Sequence, residues 1–549
     1  MVVSFTIPCE VSSTEKERKG QNYLHGAAIL TLGVIIMKIL GFLYKMPIAN
    51  VIGPDGYSMF MQTYNVYNVF LTLSTAGLPI ALARMVSEAN AENRPIQARE
   101  TFTVAWWTFF WLGLGFSLIM FLLPDWLARA ILHNPPAAAS IRAMAPSVLL
   151  VCLVSAYRGY IQGFGNMIPT TVGQVLEVVV KVIVGLALAM LVMRAGLGKH
   201  MGSAAAIFGV TAGSGAALLY MWLYKRRHYP RQDPENPDRP DSRRAILLRF
   251  LRIGVPIAFG SSVLAFLNLI DSSLTMGRLQ SAAGYPLKEA STLLGVYGEA
   301  QNIFNLPAAI VTPLTISIVP AISAAIAKGE DDQATKISED SLRIASVLAM
   351  PMAVGLVVLS QPIMHVIYRD AHPAGPQLLA IMGAASFFVC LVLVETAILQ
   401  ASGRELLPMI AMIVGGVVKV VLNYFLVADP RINIYGAPMG TLVSYVVMFI
   451  MNFVFLCFVL DKNPKLRVIL TKPLLCSAIM GALAYALYRL TSVLLPGGGR
   501  MHMLLCMGVS ILAAVVAYLV LTIVTRMITK EDMRLVPGGE KLSRLLRLR

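Results

Sequence analysis

Charged side chains are scarce in this chain of 549 residues. Asp, Glu, Lys and Arg together make up 13% of it, whereas hydrophobic residues make up 57%. Soluble globular proteins carry about 25% charged residues, so this composition excludes an ordinary soluble fold. Apolar runs of roughly 20 residues recur between residues 27 and 526, and each is long enough to cross a hydrocarbon core about 30 Å thick. The sequence therefore predicts an all-α, polytopic membrane protein.

Cysteine is scarce as well, and the short motifs of common enzymes are missing. The six cysteines lie mostly inside apolar runs without paired spacing, which indicates small core residues rather than disulfides or a zinc site. The sequence has no Walker loop, HExxH motif or nucleophile elbow. We therefore expect a protein that is not an enzyme and that needs no cofactor. The net charge of +16 would suggest nucleic acid in a soluble protein, but here we expect membrane lipids as partners and no nucleic acid.

We also expect no cleavable signal peptide. Residues 1–25 contain several charged side chains, and the apolar run that follows them has no cleavage site. We expect these residues to form a short cytoplasmic tail.

Fourteen apolar segments are long enough to span the membrane. They lie at about 26–50, 57–88, 100–123, 141–164, 168–193, 202–224, 246–276, 289–326, 337–359, 376–401, 406–428, 436–460, 471–494 and 502–526. The loops on one side of this arrangement hold about 26 Lys and Arg residues, and those on the other side hold about 8. Because basic loops stay in the cytoplasm, both termini are predicted to be cytoplasmic.

The two halves of the chain resemble each other. Residues 160–182 align with residues 398–420 without a gap, and Lys181 then matches Lys419 at an offset of 238. A second match, near residues 78 and 314, has an offset of 236. Parallel repeats are typical of transporters in which two lobes move about a central site. The predicted units are a tail (1–25), an N-lobe of helices 1–6 (26–224), a basic cytoplasmic linker (225–245), a C-lobe of helices 7–12 (246–460), two extra helices that form a lipid-tail groove (461–526) and a basic cytoplasmic tail (527–549).

Polar and ionisable side chains inside the spans mark the candidate site, because each of them is costly in lipid. Spans one, two, seven and eight occupy corresponding positions in the two repeats, and we expect their polar faces to converge on one hydrated cavity. The residues that we assign to this cavity are Lys38, Lys45, Asn65, Asn68, Asp271, Arg278, Glu299 and Asn302.

Structural roles for some of these charges stay open. Lys45 is close enough to a span end for its side chain to reach the membrane interface. Asp271 is also a candidate for a structural ion pair with a lysine. Glu177 and Lys181 have the i, i+4 spacing of a helical ion pair, and we predict that they form one. Lys419 has no carboxylate four residues before it, and its role is left open.

The stretches 26–89 and 303–329 resemble polysaccharide-biosynthesis flippases of the multidrug/oligosaccharidyl-lipid/polysaccharide exporter superfamily, and more narrowly the MurJ and stage V sporulation protein B branch from Gram-positive bacteria. The resemblance implies a lipid II flippase in the cytoplasmic membrane of a bacterium, with a cationic cavity for the pyrophosphate and a groove for the polyprenyl tail. Lys38 matches the first cationic position of the family. The next arginine-aspartate pair of the family falls on Tyr44 and Lys45, so the anion-binding set differs here.

Three alternatives remain beside a lipid II flippase. A flippase for another polyprenyl-linked glycan, of a capsule or spore envelope, would share the cationic cavity. A drug/cation antiporter of the same superfamily would need dominant carboxylates instead. A scaffold that recruits cell-wall synthesis enzymes would leave the charges inside the membrane unexplained, although such enzymes remain candidate partners. A coupling ion, Na⁺ or H⁺, is an open expectation.

Overall fold

The protein is almost entirely helical over the part that the computed structural model describes. That part comprises residues 13–229, 238–369, 371–460, 466–494, 497, 499–525 and 527, with the backbone alone for 13–39, 42, 43, 316 and 468. The helices are α1 (Ser13–Thr75), α2 (Leu78–Ala91), α3 (Pro95–Leu122), the single turn α4 (Pro124–Trp126), α5 (Ala138–Gly163), α6 (Ile168–Arg194), α7 (Lys199–His228), α8 (Arg243–Ser281), α9 (Leu287–Ala327), α10 (Asp331–Val358), α11 (Ser360–Ile367), α12 (Gly375–Ala401), α13 (Leu406–Leu426), α14 (Gly436–Val459), α15 (Leu466–Leu494) and α16 (Arg500–Val524).

The first two predicted spans are joined within α1. A straight helix of 63 residues would be about 95 Å long, about three times the thickness of a hydrocarbon core. Gly53 interrupts it with φ 72° and ψ 171°, a backbone conformation that residues with a Cβ rarely adopt. The residues before and after Gly53 therefore form two arms, and each arm is long enough to cross the membrane.

Thirteen stretches among the described residues have the length and hydropathy of a membrane span. The first of them runs from Tyr44 to Ala91 and so takes in the second predicted span and the end of the first. The remaining twelve correspond one by one to the predicted spans three to fourteen. The prediction of an all-α polytopic membrane protein with about fourteen spans is confirmed.

The helices alternate between two ends of the bundle. We call the end that holds Gly53, Gly198 and the start of α9 the outer end, and the opposite end the inner end, after the predicted orientation. Lys472, near the start of α15, donates a hydrogen bond to the carbonyl of Thr525 (3.2 Å), which places the end of α16 at the inner end. The assignment of the inner end to the cytoplasm remains a prediction.

The helices pack in three groups. Helices α2, α3 and α5–α7 pack on one another and on α1, α9–α14 pack on one another, and α15 and α16 form a hairpin that packs mainly on α10. Contacts of α1 with α8 and α9 join the first two groups. The predicted linker (225–245) is partly helical, since α7 continues to His228 and α8 begins at Arg243. The boundaries of the lobes remain a prediction.

Candidate functional site

A polar cavity lies between α1, α8, α9, α13 and α14, where the two predicted lobes meet. It has two adjoining chambers that share Met61, Asn65, Gln301 and Asn305 in their walls. The chamber beside α1 also includes Lys45. The chamber beside α13 has a volume of about 210 Å³ and includes Asp271. The predicted convergence of polar side chains from spans two, seven and eight is therefore observed.

Close contacts between α1 and α9 seal the outer side of this cavity. Gly295 of α9 touches the backbone of Pro54 so closely that a Cβ on Gly295 would lie 1.8 Å from the Pro54 carbonyl oxygen. The hydroxyls of Ser58 and Ser291 share a hydrogen bond of 3.0 Å. Two turns beyond Gly295 along α9, the Asn302 amide donates to the Tyr57 hydroxyl at 2.6 Å. The seam is thus held by small side chains and buried hydrogen bonds.

Two lysines bring positive charge to the α1 side of the site. Lys45 lines the cavity, and Lys181 of α6 lies with its Nζ 5.8 Å from the centre of the Tyr44 ring. Within the described part of the chain, no carboxylate lies within ion-pair distance of either lysine.

The predicted ion pair between Glu177 and Lys181 is wrong. Glu177 instead accepts a hydrogen bond from Arg158 of α5, with Nη2 and Oε2 2.8 Å apart, and a weaker one from Ser214 at 3.3 Å. Sequence spacing brings Lys181 onto the same helical face as Glu177, but Arg158 reaches the carboxylate across the α5–α6 contact. Lys181 is left without this partner and points towards Tyr44.

The α13 side of the cavity is neutralised by a buried ion pair. Lys419 Nζ lies 2.8 Å from Asp271 Oδ2, and the Asn423 amide donates to the other carboxylate oxygen. Asp271 therefore forms the structural ion pair with a lysine that the sequence analysis left open, and the lysine is Lys419. Lys181 and Lys419 are the repeat mates that the alignment pairs. Lys419 lines the cavity and has a carboxylate partner, whereas Lys181 lies near the Tyr44 ring and has no carboxylate within ion-pair distance among the described residues.

The other predicted site residues divide into two sets. Asn65, Asn68 and Asn302 line the cavity, and Asn65 also donates to Ser272 Oγ at 3.0 Å. Glu299 is buried behind the wall, where its backbone carbonyl accepts from Tyr368 at 3.0 Å.

Arg278 is not part of the described cavity. Arg278 lies at the outer end of α8, stacked 3.9 Å from the Tyr424 ring with its Nε bonded to the Tyr424 carbonyl (3.1 Å), so we correct its placement in the cavity. The ring holds the guanidinium at the end of α13, away from the lining residues. The Lys38 side chain lies outside the described residues.

Three charged residues that matter here were not assigned to the site from the sequence. Lys181 and Lys419 were visible as repeat mates inside apolar spans, and that correspondence was the available signal. Glu395 stands alone in the apolar span 376–401, and its isolation was the signal that pointed to it.

A helical bundle of this kind, with a sealed polar cavity between two groups of helices, defines a membrane carrier. Residues 23–326, more than half of the chain, match the model of the family described as "Polysaccharide biosynthesis protein", and the chain belongs to that family. Residues 256–425 also match the MatE family. The chain is thus a transporter of the multidrug/oligosaccharidyl-lipid/polysaccharide exporter superfamily.

Relatives from Bacillus subtilis support this placement. The chain is 28% identical to an uncharacterized membrane protein, YabM, over 95% of this chain and 96% of that protein. It is 25% identical to the lipid II flippase MurJ over 83% of this chain and 87% of that protein. Identity to stage V sporulation protein B is 24%, with 94% and 98% covered.

Solved structures share the fold. A lipid II flippase MurJ in an inward closed conformation matches with a TM-score of 0.67 at 13% identity, covering 91% of this chain and 98% of that one. An inward-facing multidrug resistance MATE transporter matches with a TM-score of 0.63 at 15% identity, covering 79% of this chain and 98% of that one.

Proposed function

We propose that the chain is a flippase for a polyprenyl-pyrophosphate-linked cell-wall precursor, with lipid II as the first candidate. It moves the head group across the cytoplasmic membrane by alternating access of the central cavity. The observation that carries the proposal is Lys45 in the cavity wall, with Lys181 near the ring of the adjacent Tyr44, and neither lysine has a carboxylate partner among the described residues. An unpaired cation inside a membrane is costly, and an anionic ligand compensates for it.

The chemistry of a pyrophosphate fits these two lysines. It carries about two negative charges, and charge-assisted hydrogen bonds to it are strong in a site that is partly shielded from water. Lysine binds phosphate as a point charge on a flexible stem, so the ligand can be released on the other side. Asn65, Asn68 and Asn302, which line the same chamber, supply neutral donors and acceptors for sugar hydroxyls.

A polyprenyl tail is too long for the cavity, so it stays in the lipid while the head group crosses. The lipid-tail groove that we assign to α15 and α16 remains part of this proposal. Cell-wall synthesis enzymes remain proposed partners.

The drug/cation antiporter is less well supported by the charges. That function needs a cavity carboxylate that is available to an organic cation. Asp271 lines the cavity, but Lys419 and Asn423 occupy both of its oxygens. A flippase for a capsule or spore-envelope precursor remains the second candidate, because the same two lysines serve any polyprenyl-linked pyrophosphate.

Complementation tests the proposal. The chain is expressed in a bacterium that has been depleted of its own lipid II flippase, beside a variant with Lys45→Ala and Lys181→Ala. We expect the wild-type chain to restore growth and the variant to fail at equal membrane levels. If a well-expressed wild-type chain gives no rescue, lipid II is the wrong cargo. The second candidate is then tested with strains that lack flippases for other lipid-linked glycans.

A further inference from the structure

Glu395 is a carboxyl group that the proposed head-group site does not use. It lies on α12, fully buried at 0% exposure, in a core formed by α9, α10, α12 and α14. Neither of its carboxyl oxygens has a hydrogen-bond partner among the described residues. Asp271, the buried carboxylate of the cavity, has partners on both oxygens. The two buried acids therefore have opposite environments.

Asn452 is a second buried polar residue in this core, on the neighbouring helix α14, which runs in the same direction as α12. Glu395 lies seven residues beyond Phe388 and Asn452 lies three residues beyond Phe449, so Asn452 is about one turn closer to the outer end than Glu395. The rings of Phe388 and Phe449, whose centres are 5.7 Å apart, show that these faces of the helices pack together. Asn452 is 1% exposed, and both atoms of its amide lack a partner among the described residues.

Within the described part of the chain, no ion pair involves Glu395. The titratable group that faces it from α14 is the Cys457 thiol. Helix α10 turns Ser338 and Ser341 to this core, and both hydroxyls bond to the backbone of their own helix. The ion pair of Asp340 with Arg343 belongs to the face of α10 that packs against α15. The apolar neighbours from α9 and α13 are Val311, Leu314, Ile318, Ile322, Leu407 and Met412, and the Ser323 hydroxyl of α9 donates to the Ala401 carbonyl at the end of α12.

An ionised carboxylate in this position would be a charge without a partner in an apolar interior, which is the most costly way to bury an acid. A protonated carboxyl is neutral and has an O–H to donate. A buried acid that lies within a transporter and lacks a structural partner is a candidate for a proton relay.

We infer that Glu395 is a proton-binding site of the carrier, occupied in the present conformation, and that Asn452 becomes its hydrogen-bonding partner when α12 and α14 shift by about one turn during the transport cycle. The ligand of this site is a proton, so transport couples to a proton gradient through the C-lobe. The inference rests on the proposed carrier function, but it does not depend on which glycan is carried.

Infrared spectroscopy of the reconstituted full-length protein tests the site directly, without any substrate. The wild-type protein is titrated over a range of pH, and the C=O stretch of protonated carboxyl groups is followed. We expect one such band to disappear as the pH rises. We expect Glu395→Gln to lack this band and Glu395→Asp to restore a shifted one. The matched control is Glu405→Gln, which makes the same change at an exposed acid just beyond α12 and should keep the band.

Transport assays give the second reading. Flipping by the wild-type chain should vary with pH, and flipping by Glu395→Gln should lose that variation, while Asn452→Leu shifts the pH at which it occurs. The inference is overturned if folded Glu395→Gln keeps the band or the wild-type pH profile. It is also overturned if activity depends on Na⁺ instead of pH and Glu395→Gln removes that dependence, because the site then binds a metal cation. If the band titrates in the wild-type protein and is absent from Glu395→Gln, but the wild-type protein does not transport lipid II, the proton site stands and only the proposed cargo is wrong.

Discussion

At the scale of single residues, the two sides of the cavity differ in whether their lysines have carboxylate partners. Lys181 and Lys419 are repeat mates, yet Lys419 is paired with Asp271 and Lys181 is not. The predicted repeat makes these two cations equivalent, and among the described residues only Lys419 has a carboxylate partner. The cationic excess therefore lies on the α1 and α6 side, where Lys45 adds to it.

Removal of either unpaired lysine should weaken the binding of the head group. Charge-assisted hydrogen bonds contribute about 1.5–3 kcal/mol, so Lys45→Ala or Lys181→Ala should weaken the affinity for a pyrophosphate-bearing lipid by about tenfold to a hundredfold. Affinity is measured by titration of the purified protein with the lipid. Lys199→Ala is the control, since Lys199 pairs with Asp55 at the outer end, 2.6 Å away. Equal loss in the control would mean that overall charge, rather than the site, controls affinity.

Lys38→Ala remains a prediction of the same kind, with abolished transport as its expected result.

The Asp271–Lys419 pair should behave as a structural unit. Lys419→Ala leaves a buried carboxylate unpaired, and this should reduce the free energy of unfolding by about 3–5 kcal/mol. The double variant Asp271→Asn with Lys419→Met removes both charges and should recover most of that loss. Both are measured by thermal unfolding of the purified protein. The exposed pair of Arg84 with Glu88 is the control, since Arg84→Ala should cost less than about 1 kcal/mol. A double variant that is as unstable as Lys419→Ala would show that the pair has no joint role.

Sequence patterns predicted the wall of the site better than its charge pairs. Asn65, Asn68 and Asp271 lie on polar faces of otherwise apolar helices, and such a face must meet another polar face in a membrane. Ion-pair partners come from helices that are distant in the chain, and spacing carries no information about them. Lys181 illustrates this limit, since Arg158 of a neighbouring helix takes the carboxylate that spacing assigns to it. The predicted position of Arg278 was wrong for a related reason, because the Tyr424 ring that contacts it belongs to another helix.

At the scale of elements, the α1–α9 seam depends on a glycine. A methyl group at Gly295 would collide with the Pro54 carbonyl, so Gly295→Ala should push α9 away from α1 and open the outer side of the cavity. A single cysteine at Asn65 in a background without native cysteines reports the change, because an impermeant thiol reagent added outside should label it faster. Gly355→Ala, at a helical glycine with no neighbour within 4 Å, is the control. Unchanged labelling in folded Gly295→Ala would show that the seam tolerates the methyl group.

The small residues of the α15–α16 hairpin have two different surroundings. Gly481 packs against Val354 of α10, and Ala514 is buried in the core between the hairpin and α10. Gly508 has open space around it and faces outwards. Gly481→Leu and Ala514→Leu should therefore lower the folded yield and impair long-chain and short-chain substrates together.

Gly508→Leu separates a lipid-tail groove from helix packing. If α16 holds the tail, this variant should fold normally and impair a long-chain substrate more than a short-chain analogue. Flipping of both substrates by reconstituted protein measures the difference. Identical rates for wild type and Gly508→Leu would place the tail elsewhere.

At the scale of the whole molecule, the orientation in the membrane is open to a direct test. Ala195 lies in an exposed turn at the outer end and Glu405 lies in an exposed turn at the inner end. In cells that express cysteine at one of these positions in a cysteine-free chain, Ala195→Cys should react with an impermeant thiol reagent and Glu405→Cys should not. Both should react in opened cells. The reverse pattern would invert the predicted topology and place the basic loops outside.

The attachment of the α15–α16 hairpin has a mechanical consequence. Its main contacts among the described residues are with α10 and α11, so it is fastened to the C-lobe along one flank and faces lipid on the other. Under the proposed cycle, each rotation of the C-lobe displaces this hairpin laterally within the bilayer. The surrounding lipid resists that displacement, and the resistance acts far from the axis of rotation. Turnover should slow as membrane viscosity rises, and it should slow more steeply than in carriers whose moving parts end at the bundle itself.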